Sequence, residues 1–241
     1  MALHGLAVVN NYGSILITND YKIMVFSERG EFRIQSRYTD KEGSGSVTFS
    51  RVIRTDEPPQ LFLRHVSGVH SKLGVYITLL GGPGNWTGFT VTSAVRFGDQ
   101  LQNYLMEFVA CKFADAPSED RYGLNLFDES GRPLFSSSDK VVRYSKFAKE
   151  WTKASGSQVD IYSSGLAIED DDFVCVSAID RGVSWFADGA NYVGLILLED
   201  NRPALKLTAQ RAGGGYWYYQ GTNGTCFGIP VCKFPQGRYS N

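Results

Sequence analysis

Tyr122-Gly123-Leu124-Asn125-Leu126-Phe127-Asp128-Glu129-Ser130-Gly131 restates, at a constant displacement of 118 (123 − 5 = 118), what His4-Gly5-Leu6-Ala7-Val8-Val9-Asn10-Asn11-Tyr12-Gly13 says near the start of the chain. The displacement persists: Leu16 falls on Leu134, Lys22 on Lys140, Ile23 and Met24 on Val141 and Val142, and Phe26 on Tyr144. Further along, Val75 to Leu80 lies on Val193 to Leu198 and Phe89-Thr90 on Leu207-Thr208. Cys111-Lys112-Phe113 lies on Cys232-Lys233-Phe234 at 121 (232 − 111 = 121), while Val47 and Phe49 fit Val159 and Ile161 only at 112 (159 − 47 = 112). Apolar anchors that agree while the spacing between them changes describe one unit written twice with different loops.

Within each copy the segments alternate apolar and polar residues or form short apolar runs bounded by turn residues, the pattern of strands. Asn11-Tyr12-Gly13 and Glu129-Ser130-Gly131 each join two such segments with glycine last. A three-residue hairpin loop ends in a left-handed residue, so Gly13 and Gly131 are predicted at positive φ. Strands are expected over Tyr21–Phe26, Glu31–Tyr38, Val47–Ile53, Leu61–Val66, Val75–Leu80, Thr87–Phe97 and Tyr104–Phe113, with Asp40 to Ser46 as a loop. Only Lys146 to Lys153 suggests a helical turn or two. The fold class is therefore all-β, with two tandem antiparallel β-sandwich domains over residues 1–116 and 117–241. The join, Ala114 to Arg121, is short and polar, which predicts sandwiches set end to end.

A content of 43% hydrophobic and 20% charged residues belongs to a folded protein, not a disordered one. With 24 basic and 25 acidic side chains, the net charge of −1 leaves no electrostatic footprint for nucleic acid. Leu6 to Val9 is too short for a signal-peptide core, and no apolar run reaches the length of a membrane span, so no membrane insertion is expected. Cys111 and Cys232 occupy equivalent positions in alternating segments and read as buried thiols, in keeping with synthesis in a reducing cytoplasm. Cys226 and Cys232 are close enough to pair across a hairpin, and the sequence leaves that open.

Chemistry is sparse. His4, His65 and His70 all fall in the first copy and offer too few ligands for zinc. Gly213-Gly214-Gly215 lacks the Lys-Ser/Thr of a phosphate loop. Glu169-Asp170-Asp171-Asp172 could be a calcium site or a carboxylate pair for glycoside hydrolysis, but Asp56-Glu57-Pro58-Pro59 stands in its place in the first copy, which favours a solvated turn. No cofactor, metal or catalytic residue is assigned, and the protein is read as a non-enzyme. The aromatics are the stronger lead. Trp185-Phe186 and the glycine-flanked Tyr216-Trp217-Tyr218-Tyr219 fall in the second copy's insertions, and exposed rings suit sugar faces and protein contacts alike.

The opening Gly-Leu-x-Val-x-Asn-x-x-Gly-x-x-Leu/Ile, present from Gly5 to Leu16 and again from Gly123 to Leu134, resembles the start of small β-sandwich proteins encoded in the tail gene clusters of tailed bacteriophages and prophages. The resemblance implies a structural part of the tail tip or baseplate, located in the virion after synthesis in the host cytoplasm. The partners it implies are other tail or baseplate proteins, further copies of the chain in a homo-oligomer, and a host-surface glycan or receptor. The alternative is a carbohydrate- or receptor-binding module that uses the second copy's aromatics.

Overall fold

A computed structural model describes residues 7–9, 15–18, 21–37, 42–68, 72–94, 103–118, 122–154, 159–178, 191–199, 202–211 and 228–241. Residues 1–116 supply β1 (Ala7–Val9), β2 (Ile15–Thr18), β3 (Met24–Arg37), β4 (Glu42–Ile53), β5 (Gln60–Ser67), β6 (Lys72–Gly82), β7 (Asn85–Ala94) and β8 (Asn103–Phe113). The rest supplies β9 (Asn125–Phe127), β10 (Pro133–Ser136), β11 (Tyr144–Ala148), β12 (Thr152–Ala154), β13 (Val159–Ser163), β14 (Asp172–Cys175), β15 (Asn191–Glu199), β16 (Arg202–Arg211) and β17 (Ile229–Lys233). A single 3-10 turn, Val176–Ala178, is the one helical element among the described residues. The all-β expectation holds.

Each segment opens with the expected hairpin. Val8 faces Ile17 in β1·β2 and Leu126 faces Phe135 in β9·β10, both pairs related by 118 (126 − 8 = 118; 135 − 17 = 118). In the second hairpin the Gly131 N–H donates to Asp128 O at 3.0 Å, and Asp128 Oδ1 accepts from Ser130 N at 2.8 Å and Arg132 N at 2.9 Å. Gly131 has φ 76°, as predicted; Gly13 lies outside the described residues.

A Cβ at Gly131 would meet nothing within 4 Å, whereas at Gly81, with φ 97°, it would overlap the carbonyl oxygen of Asn85. Gly131→Ala should therefore cost about 1 kcal/mol from backbone conformation only, and Gly81→Ala roughly 3 kcal/mol or more. Urea unfolding midpoints check this; equal losses at the two sites would show that close packing at Gly81 has been misjudged.

Thirteen strands form one sheet in the order β11-β17-β14-β5-β8-β3-β4-β7-β6-β15-β16-β13-β12. Strands from residues 117–241 stand at both ends and strands from 1–116 fill the middle. The segments are stitched by β5·β14, where Phe62 faces Cys175, and by β6·β15, where Val75 faces Leu195. The end-to-end arrangement expected from the short join is thus not what the pairing gives. The two terminal strands, β11 and β12, are separated in the chain by residues 149–151 alone, so about 14 Å of backbone at most divides the two ends of the sheet, which curls round on itself.

Two further expectations change. The sequence predicts a loop over Asp40 to Ser46, yet β4 starts at Glu42, with Gly43 facing Ser36 and Ser44 facing Gln35. Gly45 sits where a neighbour comes close: a Cβ there would lie 2.8 Å from Arg33 O. Lys146 to Lys153, expected as a helical turn, is strand on both sides of a short coil, because Lys146, Phe147 and Ala148 pair with Val231, Pro230 and Ile229. Sheet hydrogen bonding overrides local helix propensity there.

The inner face of the sheet closes on one cluster that runs from Phe32, Phe89 and Phe108 to Val174, Leu195, Leu207 and Val231. The outer face of β3, β5, β8, β14 and β17 carries a second cluster of Phe62, Val109, Cys111, Phe173, Cys175, Cys232 and Phe234. Residues 235–241 fold back over this second cluster. Tyr239 is buried there against Phe26 and Phe234, and its hydroxyl donates to Val141 O at 2.7 Å. Cys111, Cys175 and Cys232 are buried and in no disulfide, as expected for Cys111 and Cys232; Cys226 lies outside the described residues. Burial pushes the Cys111 thiol well above its ordinary pKa and that of Cys232 up to about 12, so both are held protonated.

Candidate functional site

Where the second cluster meets solvent, apolar side chains give way to charge. Glu107 interrupts the buried run of β8, with Arg64 of β5 directly across the strand pair. Side chains facing each other across a pair lie on the same face of a sheet, so carboxylate and guanidinium are brought together by register. Arg64 Nε donates to Glu107 Oε2 at 2.5 Å, and Arg29 Nε of β3 donates to Glu107 Oε1. Arg29 also reaches Phe234 O at 2.7 Å, and Arg64 reaches Asp170 O at 3.0 Å. Both guanidinium groups lie over the ring of Phe173, at 5.4 Å and 5.2 Å from its centroid. Burial pushes the Glu107 pKa up, but the hydrogen bonds and charges of Arg29 and Arg64 outweigh it and leave the carboxyl below its ordinary value. Glu107 is thus an ionised structural anchor with both oxygens occupied, not a base waiting for a proton.

Arg29, Arg64 and Phe173 form one wall of a cleft of about 230 Å³; Asp171, Lys233, Phe234, Pro235 and Gln236 complete it. Its acidic side is the turn before β14. Asp172 N donates to Glu169 O at 3.0 Å, closing the turn that the sequence favoured. The carboxylates of that turn do not simply face water. Lys233 donates to both Glu169 and Asp171, and Lys146 donates to Asp172 Oδ2 at 2.7 Å. The Lys233 hydrogen bonds hold the pKa of Glu169 and of Asp171 below the ordinary carboxylate values, and those acids, Asp171 first, raise that of Lys233.

Similar strand neighbours occur in the two segments. Gln60 faces Cys111, which faces Phe26, while Phe173 faces Cys232, which faces Tyr144. These trios are related by 113, 121 and 118 (173 − 60, 232 − 111, 144 − 26). At 113, Asp171 and Asp172 correspond to Pro58 and Pro59, so the first segment has no matching pair of acids.

Trp185, Phe186 and Tyr216 to Tyr219, the aromatics favoured by the sequence, lie outside the described residues. Arg29, Arg64, Glu107 and Lys233 are not among the residues that sequence reasoning selects, although one signal exists: Glu107 and Arg64 are lone charges inside the apolar runs Tyr104 to Cys111 and Leu61 to Val66. Elsewhere on the surface Tyr122 is 83% and Tyr21 70% exposed, with Leu124, Phe127, Tyr144 and Phe147 also exposed. No helix among the described residues is long and apolar enough to cross a membrane.

A scan against protein-family models, a search of curated proteins and a search of solved structures each returned no match for this chain.

Proposed function

We propose that this protein is a non-enzymatic structural component of the tail tip or baseplate of a tailed bacteriophage or prophage, acting through protein contacts in the virion. The observation that carries this reading is the β9·β10 hairpin, which forms a sheet of its own and carries exposed Phe127, with exposed Tyr122 and Leu124 just ahead of it. Large apolar side chains left in water on a separate, rigidly turned hairpin suit an intersubunit contact. The repeated opening motif, which resembles phage tail β-sandwich proteins, gives the contact its setting.

The reading includes an internal duplication, with residues 1–116 and 117–241 as two copies of one β-sandwich unit. The near-symmetric register supports it: Val142, the counterpart of Met24 at 118, donates its N–H to Met24 O at 3.0 Å, and Phe62 faces Cys175, its counterpart at 113. Two related units meeting at their own counterparts is the geometry of a two-fold pair joined into one chain.

Tyr122→Ser, Leu124→Ser and Phe127→Ser should each change stability by about 0.5 kcal/mol or less, since the three side chains are exposed, and the triple variant should still fold. In a phage or prophage strain lacking the gene, the wild-type chain should restore complete tails seen by electron microscopy, and the triple variant should not. Complete, infective particles in the strain lacking the gene would overturn the proposal.

A further inference from the structure

The acidic turn contains one oxygen whose needs the protein does not meet. Asp172 has a fully buried side chain, and its Oδ2 accepts from Lys146 at 2.7 Å and from Glu169 N at 2.8 Å. Its Oδ1 is buried without any hydrogen bond, and the ammonium of Lys233 stops 3.9 Å away. A desolvated carboxylate oxygen left in this way is an uncommon feature of a folded protein. Lys233 itself sits at the hub of three acids, donating to Glu169 and Asp171 while falling short of Asp172.

We propose that Glu169, Asp171 and Asp172 form a binding site for a divalent cation of the calcium type, with Lys233 as the resident counter-ion that gives way to it. One oxygen from each acid lies within 4.8 Å of the other two. Oxygens that share a calcium ion at about 2.4 Å lie at most about 4.8 Å apart, a condition that each of the three pairs meets. Calcium suits the set better than magnesium, because its roughly 6–8 oxygens adopt variable geometry and need no ideal octahedron. The charge also favours exchange. Three carboxylates with the ammonium groups of Lys146 and Lys233 sum to −1; replacing the Lys233 ammonium by a divalent ion brings the group to neutrality. Lys233 can leave, since its side chain is 36% exposed at the rim of the open cleft, while Lys146 keeps Asp172 Oδ2 in place. The cleft gives water access to the remaining coordination positions. Prolines at the corresponding positions of the first segment confine the site to the second.

Calorimetric titration of the full chain with calcium chloride at low salt tests the proposal. One ion per chain is expected, with a dissociation constant of about 10⁻⁴ to 10⁻³ M, the range of open, carboxylate-built sites. Lys233→Met should tighten binding at least about tenfold, because it removes the competing cation. Asp171→Asn, an exposed change that leaves the buried acid intact, should weaken it by about tenfold, and Asp172→Asn should abolish it. Terbium luminescence gives an independent readout should a variant be too unstable for calorimetry. The proposal is overturned if neither the wild type nor Lys233→Met binds calcium at about 10⁻² M, on the order of ten times the weakest affinity expected. It is equally overturned if Asp171→Asn and wild type bind alike.

Discussion

Glu107→Gln is expected to destabilise the protein by about 3 kcal/mol at neutral pH, the largest loss expected for any charged residue of the cleft. The substitution is nearly isosteric, so the cost is electrostatic. Arg29 and Arg64 would keep their charge with the shared carboxylate gone, and Arg29 is the more deeply buried of the two. Removing one partner of a buried ion pair costs about 3–5 kcal/mol, because the other charge is left without compensation. The amide that replaces the carboxylate could still accept one hydrogen bond, which places the figure at the lower end. The folded-state pKa of Glu107 lies below its unfolded value. Its contribution is therefore present above the unfolded carboxylate pKa of about 4.3 and is lost as pH falls through the folded value. Urea unfolding of both proteins should show a wide gap at pH 7 that narrows as the solution is acidified through the folded-state pKa of Glu107. A gap that does not change with pH would show that Glu107 acts through packing instead.

Phe62→Ala should cost about 3–5 kcal/mol, the usual range for deleting a fully buried aromatic ring. Phe62 packs edge-on against Phe234 at 5.2 Å and stands at the seam where β5 pairs with β14. Because that seam ties the two segments together, the loss should appear as one cooperative transition moved to lower urea. Two separate transitions, one unchanged, would show that residues 1–116 and 117–241 unfold independently and that the seam is only a contact between them.

The amino-acid order carries the strands far better than it carries their partners. Short apolar runs mark β5 and β8 because both of their faces are buried, alternation marks β10 because one of its faces is, and the Gly131 turn is legible because its loop length needs a left-handed residue. Nothing local says that β14 pairs with β5 instead of closing a sheet within residues 117–241, since the same apolar side chains would serve either neighbour. Gly43 and Gly45 read as loop for a related reason: the strand they run beside, β3, is a separate stretch of chain, and its close approach at Gly45 has no trace in the glycine's own neighbourhood. The cleft is half legible. Its acids stand together in sequence, whereas Arg29, Arg64, Glu107 and Lys233 come from four strands and converge only through register.

Residues 235–241 emerge from the ribosome after every strand they cover, and this order has a kinetic consequence. Until Tyr239 seats between Phe26 and Phe234, and the Asn241 amide clasps the backbone of Arg29, the outer cluster lacks this cover. Cys111, Cys175 and Cys232 in that cluster therefore act as a clock for its closure. The rate at which an alkylating reagent reaches them measures how often the strap lifts, a local opening that global unfolding curves do not see.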